Sequence, residues 1–290
     1  MEIRQLRYFL AVQESGSFTQ AAKQLYVTQP ALSAAIKALE EELGCALLKR
    51  QPKRVTLTPA GLRFRDRAFS ILAEVNAARK ELSQQADLRS LRIGVLGTLN
   101  VPPVKQLLAE FAATYPEIEL QLQNSSLDGL AQLLGQDKVD LLLTTLTGDE
   151  RSDTSLPLFQ ERYLMLVSRQ HPLATRASVH LADLHGIPFV LRKNCEVLSE
   201  AQRVFLTEQA QPHISCRTDQ DDWALTMIRA GRAAGIMAES VDSPDLVKIP
   251  IVDFGLLRTV GCQWRSHSSQ PCVQQFTTFA AQYDWRRSIR

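Results

Sequence analysis

The chain of 290 residues lacks the features that mark several special classes of protein. It contains no apolar run near the roughly 18 residues that span a bilayer, and its first residues lack the apolar core of a secretory signal. Its 13 glycines and 13 prolines, among 45% hydrophobic and 22% charged residues, are ordinary for a globular protein. This composition excludes a disordered chain and a collagen-like repeat. We therefore expect a cytoplasmic protein of one large or two smaller domains that has no membrane partner.

Cysteine and catalytic motifs are also scarce. The five cysteines form neither a C-x-x-C pair nor a zinc-binding spacing, so reduced thiols are the default interpretation. The five histidines show no metal-ligand spacing, and the chain contains no GxxxxGK, GxSxG, HExxH or GxGxxG motif. We therefore expect no catalytic residues, no metal and no cofactor.

Positive charge is concentrated near the amino terminus. Residues 1–65 hold ten Lys or Arg and five Asp or Glu, which leaves 23 of the 33 basic and 26 of the 31 acidic residues for the rest of the chain. A small basic segment joined to a faintly acidic body indicates that only the basic segment meets a polyanion.

The basic segment has the pattern of a helix-turn-helix. Apolar residues at helical spacing predict a first helix that ends at Ser15-Gly16, and Ser17–Gln20 has the form of a reciprocal capping box for a second helix. Thr28 can cap a third helix, which Gly44 closes. The apolar stripe of this third helix consists of Leu32, Ile36, Leu39 and Leu43. Two short helices joined by a turn of this kind form a common DNA-binding unit.

A basic hairpin follows the third helix. Residues 47–58 place four cations around Pro52 and then alternate apolar residues, a pattern typical of a wing that lies on the DNA backbone. The simpler alternative is a solvated three-helix bundle with an incidental basic loop.

Residues 1–65 closely resemble the winged helix-turn-helix of LysR-type transcriptional regulators. The matching segments occur in the family's order: Leu6-Arg7-Tyr8-Phe9, Gly16–Ala22, Thr28–Ser33, Leu39–Gly44 and Leu57-Thr58-Pro59-Ala60-Gly61. The resemblance implies a sequence-specific transcriptional regulator that binds double-stranded DNA. The chain departs from the family at Ala34-Ala35, where a larger polar or basic residue often follows the serine, so base readout would rest on fewer side chains.

Two sets of residues are expected to contact DNA. Major-groove contacts, in which Gln and Ser can read base edges and Lys can meet a phosphate or a guanine, are expected from Gln29, Pro30, Ser33 and Lys37. Backbone or minor-groove contacts are expected from Arg50, Lys53, Arg54 and Thr56.

A long helix is predicted after the hairpin. Thr58 caps it, Pro59 starts it, and it can run to about Ala86. Its apolar positions recur at steps of seven, three, three and seven: Leu62, Phe69, Leu72, Val75 and Leu82. A long amphipathic helix between two domains more often pairs with its own copy than with its own body, so we expect a homodimer on a partly palindromic site. The resemblance further implies a homotetramer and allows RNA polymerase as a partner.

The rest of the chain has the pattern of an α/β protein. Strands and helices alternate from Leu91 to Leu143 and again from Ile187 to Ala238, which predicts two lobes with ligands at the carboxyl ends of their strands. Two candidate crossing strands, Tyr163–Ser168 and Leu257–Trp264, separate the lobes, and a last helix, Gln274–Trp285, would pack on the first lobe. The arrangement resembles the periplasmic-binding-protein fold and the family's effector-binding domain.

The predicted fold class is therefore α/β in three parts. Residues 1–58 form the winged helix-turn-helix, 59–87 the linker and dimerisation helix, and 88–290 the two-lobed effector-binding domain. The first lobe would comprise about 88–162 and 265–290, and the second about 163–264.

Polar residues at the predicted strand ends mark a cleft. Hydroxyls and amides at helix starts, opposite two cations, suit a small anion such as a carboxylate. We expect the effector to contact Thr98, Leu99, Asn100, Ser125, Ser126, Thr144, Arg192, Lys193, Asn194 and Cys195. At any single residue the alternative is a plain helix cap or a solvated charge. An effector that favours one arrangement of the lobes or of the dimers would alter DNA binding or bending.

Cys195 supports an alternative function, thiol-based redox sensing. It is predicted to open a helix beside Arg192 and Lys193, a setting that lowers a thiol pKa. The resemblance places the reactive cysteine of the peroxide-sensing, OxyR-like branch at this position. That branch has its partner cysteine nine residues on, where this chain has Val204, and a His where this chain has Asn194. Cys216 could serve as a different partner, oxidation could stop at the sulfenic acid, or the thiol could simply line the pocket.

Two further classes are weaker alternatives. A periplasmic solute receptor would share the two-lobed fold, but it needs an export signal and no basic segment. An enzyme with an accessory DNA-binding domain would need a nucleophile and base constellation, which the sequence lacks. We therefore expect a regulator that is not an enzyme.

Overall fold

A computed structural model describes residues 1–51, 54–82, 90–265 and 271–285, and it divides near residue 86 into two compact units. The amino-terminal unit is built from helices and one hairpin. Its elements are α1 (Ile3–Ser15), α2 (Phe18–Gln24), α3 (Gln29–Leu43), β1 (Leu48–Gln51), β2 (Arg54–Leu57) and α4 (Pro59–Leu82). The strands β1 and β2 pair in an antiparallel hairpin, as the alternating pattern predicts.

Local sequence signals start and end the first three helices. Gly16 ends α1 at φ +63° and Gly44 ends α3 at φ +68°, left-handed conformations that glycine adopts without strain. Thr28 caps α3, since its Oγ1 accepts from the Ala31 amide at 3.4 Å. The predicted capping box forms on one side only. Ser17 Oγ accepts from the amide of Gln20, but the Ser17 amide donates to the Ser15 side chain rather than to that of Gln20.

The core of this unit follows the predicted stripe on α3. Leu32, Ile36 and Leu39 are fully buried together with Phe9 of α1. Leu43 is 37% exposed because it occupies the last turn of the helix, where the core ends. The apolar stripe therefore holds α3 by one face and leaves its opposite face to solvent.

The long helix α4 begins directly on the hairpin. Thr58 Oγ1 accepts from the Gly61 amide at 2.9 Å, and a Cβ on Gly61 would lie only 2.0 Å from the Leu47 carbonyl oxygen. Ala68 is fully buried, whereas Leu62 is 47% exposed, so the helix buries one face and presents another. The predicted continuation to Ala86 and the side chain of Leu82 lie outside the described residues.

The first lobe of the carboxyl-terminal unit is the predicted parallel sheet. It contains β3 (Ser90–Leu96), α5 (Pro102–Thr114), β4 (Glu119–Ser125), α6 (Leu127–Gly135) and β5 (Leu141–Leu146). Strand β3 lies between β4 and β5 and is parallel to both. The last helix, α9 (Pro271–Gln282), starts three residues earlier than predicted and packs on this lobe, where the rings of Phe276 and Phe111 are 4.9 Å apart.

The second lobe contains the second alternating series. Its elements are the later half of β6 (Ser155–Ser168), β7 (Pro188–Arg192), α7 (Leu198–Thr207), β8 (His213–Thr218), α8 (Asp221–Arg229), β9 (Gly235–Ala238) and β10 (Leu246–Pro250). Strands β7 and β8 are parallel, while β9 and β10 run antiparallel to β6. Strand β10 has no counterpart among the predicted elements.

The predicted crossing strand Leu257–Trp264 is observed with those bounds, whereas the predicted Tyr163–Ser168 is only the second half of a longer strand. Strand β6 starts at Ser155, and its first half pairs with β11 (Leu257–Trp264). Strand β11 also pairs with β5, and its Val260 and Cys262 are fully buried. Residues 257–264 therefore extend the sheet of the first lobe.

The helix predicted from Cys195 begins at Leu198. Residues 195–197 form a turn instead, in which the Leu198 amide donates to the Cys195 carbonyl at 3.1 Å. Cys195 is thus not at a helix amino terminus.

Among the described residues, no helix is long and apolar enough to cross a membrane.

Candidate functional site

The first candidate surface is the solvent face of α3. Gln29, Ser33 and Lys37 are spaced by four residues and so share one side of the helix. Gln29, Pro30 and Lys37 are exposed, and Ser33 is half-buried. Lys37 pairs with Glu41 at 3.5 Å, but both side chains are largely exposed, so this pair is weak and a phosphate could replace the carboxylate.

The hairpin is held against two helical segments. Glu40 Oε1 accepts from the amides of Leu47 and Leu48 at 2.7 and 3.0 Å, and the Val55 amide donates to the Gly16 carbonyl at 2.9 Å. These bonds place the strand that bears Arg54 beside the turn between α1 and α2.

The hairpin residues expected to contact DNA are only partly described. Arg54 is exposed and Thr56 is half-buried on β2. Lys53 and the side chain of Arg50 lie outside the described residues. An exposed cation on a strand so anchored can meet a phosphate with little further ordering.

Tyr26 is a surface residue that the sequence pattern does not single out. It lies in the turn before α3, at φ +54°, and is 96% exposed. Its ring and hydroxyl therefore stand free beside the start of the helix that carries Gln29. The one sequence signal is an aromatic residue in a short turn.

The second candidate site is a cleft of about 510 Å³ between the two lobes. Five of the residues predicted for the effector line it: Thr98, Asn100, Ser125, Ser126 and Asn194. Leu99 and Thr144 are buried inside the first lobe and do not line it. Lys193 is exposed and also lies outside the lining. Arg192 and Cys195 line a separate cavity in the second lobe.

Several cleft residues also serve as local anchors. Ser126 Oγ accepts from the Gly129 amide at 3.3 Å, as a helix cap does, and Asn194 Nδ2 donates to the Asp219 carbonyl at 3.4 Å. The predicted alternative of a plain cap therefore applies to Ser126. Its hydroxyl can still donate to a ligand while it accepts from the helix.

The charge of the cleft is opposite to the expectation. Its lining contains the carboxylates of Asp219, Asp221, Asp222 and Asp242, and the cations of Lys105 and Arg229. Arg229 is bound to Asp245 at 2.7 Å, and the predicted cation Arg192 is buried and bound to Asp221 at 2.9 Å. Neither predicted cation faces the cleft, so the expected preference for an anion has no support there.

A carboxylate of the chain itself joins the lobes. Glu196, in the turn before α7, accepts from Thr98 Oγ1 at 2.9 Å, Tyr163 Oη at 2.7 Å and Arg258 Nη1 at 2.6 Å. Thr98 belongs to the first lobe and Glu196 to the second. We call this set of bonds the Glu196 latch.

Arg258 anchors the latch from β11. Its side chain is 2% exposed, and its Nε donates to Glu161 Oε1 at 2.8 Å. Burial lowers the pKa of Arg258, but the carboxylates of Glu196 and Glu161 outweigh burial and raise it, so the guanidinium stays charged. Burial also disfavours the charged form of Glu196 and so raises its pKa. Arg258, Arg192 and the Tyr163 hydroxyl outweigh burial and hold this pKa at about 2. The Glu196 carboxylate and the Arg258 guanidinium of the latch are therefore both charged at neutral pH.

The environment of Cys195 differs from the prediction. Its Sγ is 3.5 Å from Arg192 Nη2, yet burial raises the pKa of the thiol; Arg192 opposes this rise and Glu196 adds to it. The expected lowering of this pKa is therefore wrong, because the helix starts three residues later and the thiol is desolvated. Cys216 is half-buried and does not line the cavity of Cys195.

The described residues contain no group of three or more His, Cys, Asp or Glu that could hold a metal ion. All five cysteines are free thiols, of which Cys262 and Cys272 are buried and Cys45 is exposed.

Two family models match the chain. Residues 3–62 match the bacterial regulatory helix-turn-helix protein of the lysR family, and residues 84–284 match the LysR substrate binding domain. Together they cover both units of the structure.

Known proteins of similar length share this organisation. The DNA-binding transcriptional dual regulator OxyR of Escherichia coli is 29% identical over an alignment of 276 positions that covers 92% of this chain and 90% of that protein. The transcriptional dual regulator GltC of Bacillus subtilis is 31% identical over an alignment of 293 positions that covers 98% of this chain and 97% of that protein. The crystal structure of full-length CbnR complexed with its target DNA matches with a TM-score of 0.57 and 26% identity, and covers 99% of this chain and 100% of that one.

Proposed function

Because the chain belongs to the LysR family of DNA-binding transcriptional regulators, we propose that a small polar ligand in its interlobe cleft controls how it binds DNA. The observation that carries this proposal is the Glu196 latch, in which a side chain of one lobe is bonded to Thr98 of the other beside the cleft. A ligand that binds the latched and unlatched arrangements with different affinity shifts the equilibrium between them. Coupling of about 1–3 kcal/mol would change DNA affinity or geometry ~5- to 150-fold.

The DNA-contacting residues of the proposal are those of α3 and the hairpin. Gln29, Pro30, Ser33 and Lys37 would enter the major groove, because they lie along one side of the helix that the core leaves in solvent. Arg54 and Thr56 would meet the backbone, together with Arg50 and Lys53. Tyr26 is added to this surface because of its full exposure in the preceding turn.

The chemistry of the cleft favours a ligand that brings hydrogen-bond donors or positive charge. Three carboxylates, those of Asp219, Asp222 and Asp242, face it besides the paired Asp221, while Lys105 is its one cation without a salt bridge among the described residues. The hydroxyls of Ser125 and Ser126 and the amide of Asn100 can orient such a ligand. We therefore propose a small amine or polyol rather than the carboxylate that the sequence pattern suggests.

The assembly and location are further parts of the proposal. Homodimers would form through the exposed face of α4 that bears Leu62, and two dimers would form a tetramer on a partly palindromic site. Binding to promoter DNA would place the protein in the cytoplasm, in reach of RNA polymerase.

The experiment compares small amines and polyols with small carboxylic acids. Full-length protein is screened by thermal shift, and each hit is tested for its effect on DNA affinity by fluorescence anisotropy. We expect amines or polyols to raise the melting temperature and to change DNA affinity. Asp222→Asn should weaken the affinity for these ligands at least about tenfold, a loss of ~1.4 kcal/mol. Both effects should then be smaller at the same ligand concentration.

The matched control is Asp128→Asn on α6, which lies outside the cleft lining. It should leave both effects unchanged. A hit that binds equally to Asp222→Asn and to the parent, or a response to acids alone, would overturn the proposed ligand chemistry.

A redox regulator that uses Cys195 is the second candidate. In its favour, the chain is 29% identical to a relative described as a hydrogen peroxide-inducible genes activator, and Arg192 lies beside the thiol. Against it, burial and Glu196 raise the pKa of the thiol, which leaves little thiolate to react. The ligand-controlled regulator is therefore the better supported of the two.

A further inference from the structure

The second lobe contains a cavity that is distinct from the interlobe cleft. It has a volume of about 530 Å³ and lies between α7 and the strands β7 and β8. None of its lining residues also lines the cleft. A volume of this size is in the range of sites that hold small organic molecules, roughly 300–1,000 Å³.

The lining of this cavity is mostly apolar and partly aromatic. Four rings face it, those of Tyr163, Phe189, Phe205 and Phe254. Aliphatic side chains of Leu198, Ala201, Ile214 and Ile236 complete much of the wall. Apolar walls release water readily, and so the cavity favours an apolar occupant.

The helix over the cavity is incompletely packed. No residue of α7 is fully buried, although Leu198, Ala201 and Phe205 repeat at helical spacing on one side. All three residues line the cavity, and Ala201 and Phe205 are only partly buried where they pack against the hydrophobic core. An occupant would supply the contacts that this side of α7 lacks.

The rim of the cavity carries one charged group that is free to meet a ligand. Arg217 of β8 is exposed, and its side chain forms no salt bridge or hydrogen bond among the described residues, whereas the deeper Arg192 is already paired with Asp221. Gln202 and Gln211 add amides near the same opening. The polar groups at the rim therefore suit a single anionic head.

We propose that this cavity is a second ligand site, and that it binds an amphiphile with an apolar body and one carboxylate. The body lies against the aromatic side chains beneath α7, and the carboxylate meets Arg217. The occupant acts on the latch through the chain itself, because Val197 and Leu198 line the cavity and Glu196 precedes them directly. The two sites thus differ in chemistry, one polar and acidic and the other apolar with a basic rim.

The experiment uses decanoate as the probe, with decanol and acetate for comparison, in isothermal titration of the full-length protein below the aggregation concentration of decanoate. We expect saturable binding of decanoate, weaker binding of decanol and none of acetate. Ala201→Phe places a ring in the cavity and should weaken decanoate at least about tenfold, a loss of ~1.4 kcal/mol. Ala113→Phe, the same change at an exposed position of α5, is the matched control and should leave binding unchanged.

A second variant and a second measurement guard against misfolding of Ala201→Phe. Arg217→Gln should weaken decanoate but not decanol, whereas Arg203→Gln, on the exposed side of α7, should affect neither. Decanoate should also slow alkylation of Cys195 by iodoacetamide, because the thiol lines the cavity. Absence of saturable decanoate binding would overturn the second site. So would a decanoate affinity that is the same in the parent, Ala201→Phe and Arg217→Gln, together with a rate of Cys195 alkylation that decanoate does not change. Either result would leave the cleft proposal untouched.

Discussion

At the scale of single residues, Glu196 combines burial with full ionisation. Its side chain is 3% exposed, and three donors from three different strands or turns surround it. A buried carboxylate stays ionised only when its partners compensate for the hydration that it loses. Removing its charge would leave the Arg258 guanidinium with Glu161 as its remaining ionic partner.

The pH dependence of stability should report this residue. The pKa of Glu196 is about 2 in the folded chain and near 4.5 when unfolded, so its ionised form stabilises the fold above about pH 4.5. That contribution, on the order of 3 kcal/mol, is lost as the pH falls toward 2. We expect Glu196→Gln to be less stable than the parent in urea at pH 7, and the difference to shrink by pH 3.5.

The control for this measurement is Glu200→Gln, an exposed carboxylate on α7 that pairs only with Arg203 at 3.2 Å. It should change stability little at either pH. An equal deficit of Glu196→Gln at pH 7 and pH 3.5 would show that the lost bonds, and not the charge, explain its effect.

Residue-level prediction succeeds where the signal is local and fails where it is not. Thr28 as a cap and Gly44 as a terminator follow from neighbouring residues alone. The partners of Arg258 lie 62 and 97 residues away in the sequence, so no spacing rule connects them. Arg192 illustrates the same limit, because its pairing with Asp221 removes from the cleft a cation that the sequence places there.

At the scale of elements, the roles proposed for α3 and the hairpin in DNA binding can be separated by experiment. The side of α3 that bears Gln29 is suited to base edges, whereas Arg54 on β2 is suited to phosphate. Fluorescence anisotropy on specific and random duplexes over a range of salt concentrations distinguishes the two.

We expect Gln29→Ala to cost about 1–3 kcal/mol on the specific site and little on random DNA. Arg54→Ala should weaken both duplexes alike and lower the salt slope by about 1. Arg4→Ala, an exposed arginine on α1, is the matched control for lost charge and should do less on both. Equal losses on both duplexes for Gln29→Ala would remove it from the base-reading set.

The elements themselves were largely predictable from hydrophobic periodicity and turn signals. The exceptions are instructive: β10 is short and ends at Pro250, and the first half of β6 carries Pro157 and Glu161, which interrupt a strand pattern. The start of α7 also escapes the pattern, because the turn that presents Glu196 to Thr98 replaces its expected first turn. At each of these three positions, contacts with residues distant in the sequence determine the structure.

At the scale of the whole molecule, the proposed homodimer would form through the exposed face of α4 that bears Leu62. Leu62 is 47% exposed and lies seven residues before Phe69, which is half-buried. A leucine on an otherwise polar helix surface loses contact with water when two such helices pair.

We expect Leu62→Glu to shift the oligomer toward monomer in sedimentation velocity, because a buried charge opposes pairing. Arg67→Glu changes charge on another exposed side of α4 and should leave the assembly intact. If the two variants have the same oligomeric state, the face of α4 that bears Leu62 is not the surface of self-association.

The contact at Gly61 has a mechanical consequence. A Cβ on Gly61 would lie only 2.0 Å from the Leu47 carbonyl oxygen, so the first turn of α4 lies in close contact with the residue that precedes β1. We therefore expect a roll or tilt of α4 to move the hairpin with it. A rotation of α4 about its own axis would thereby also reorient the strand that bears Arg54.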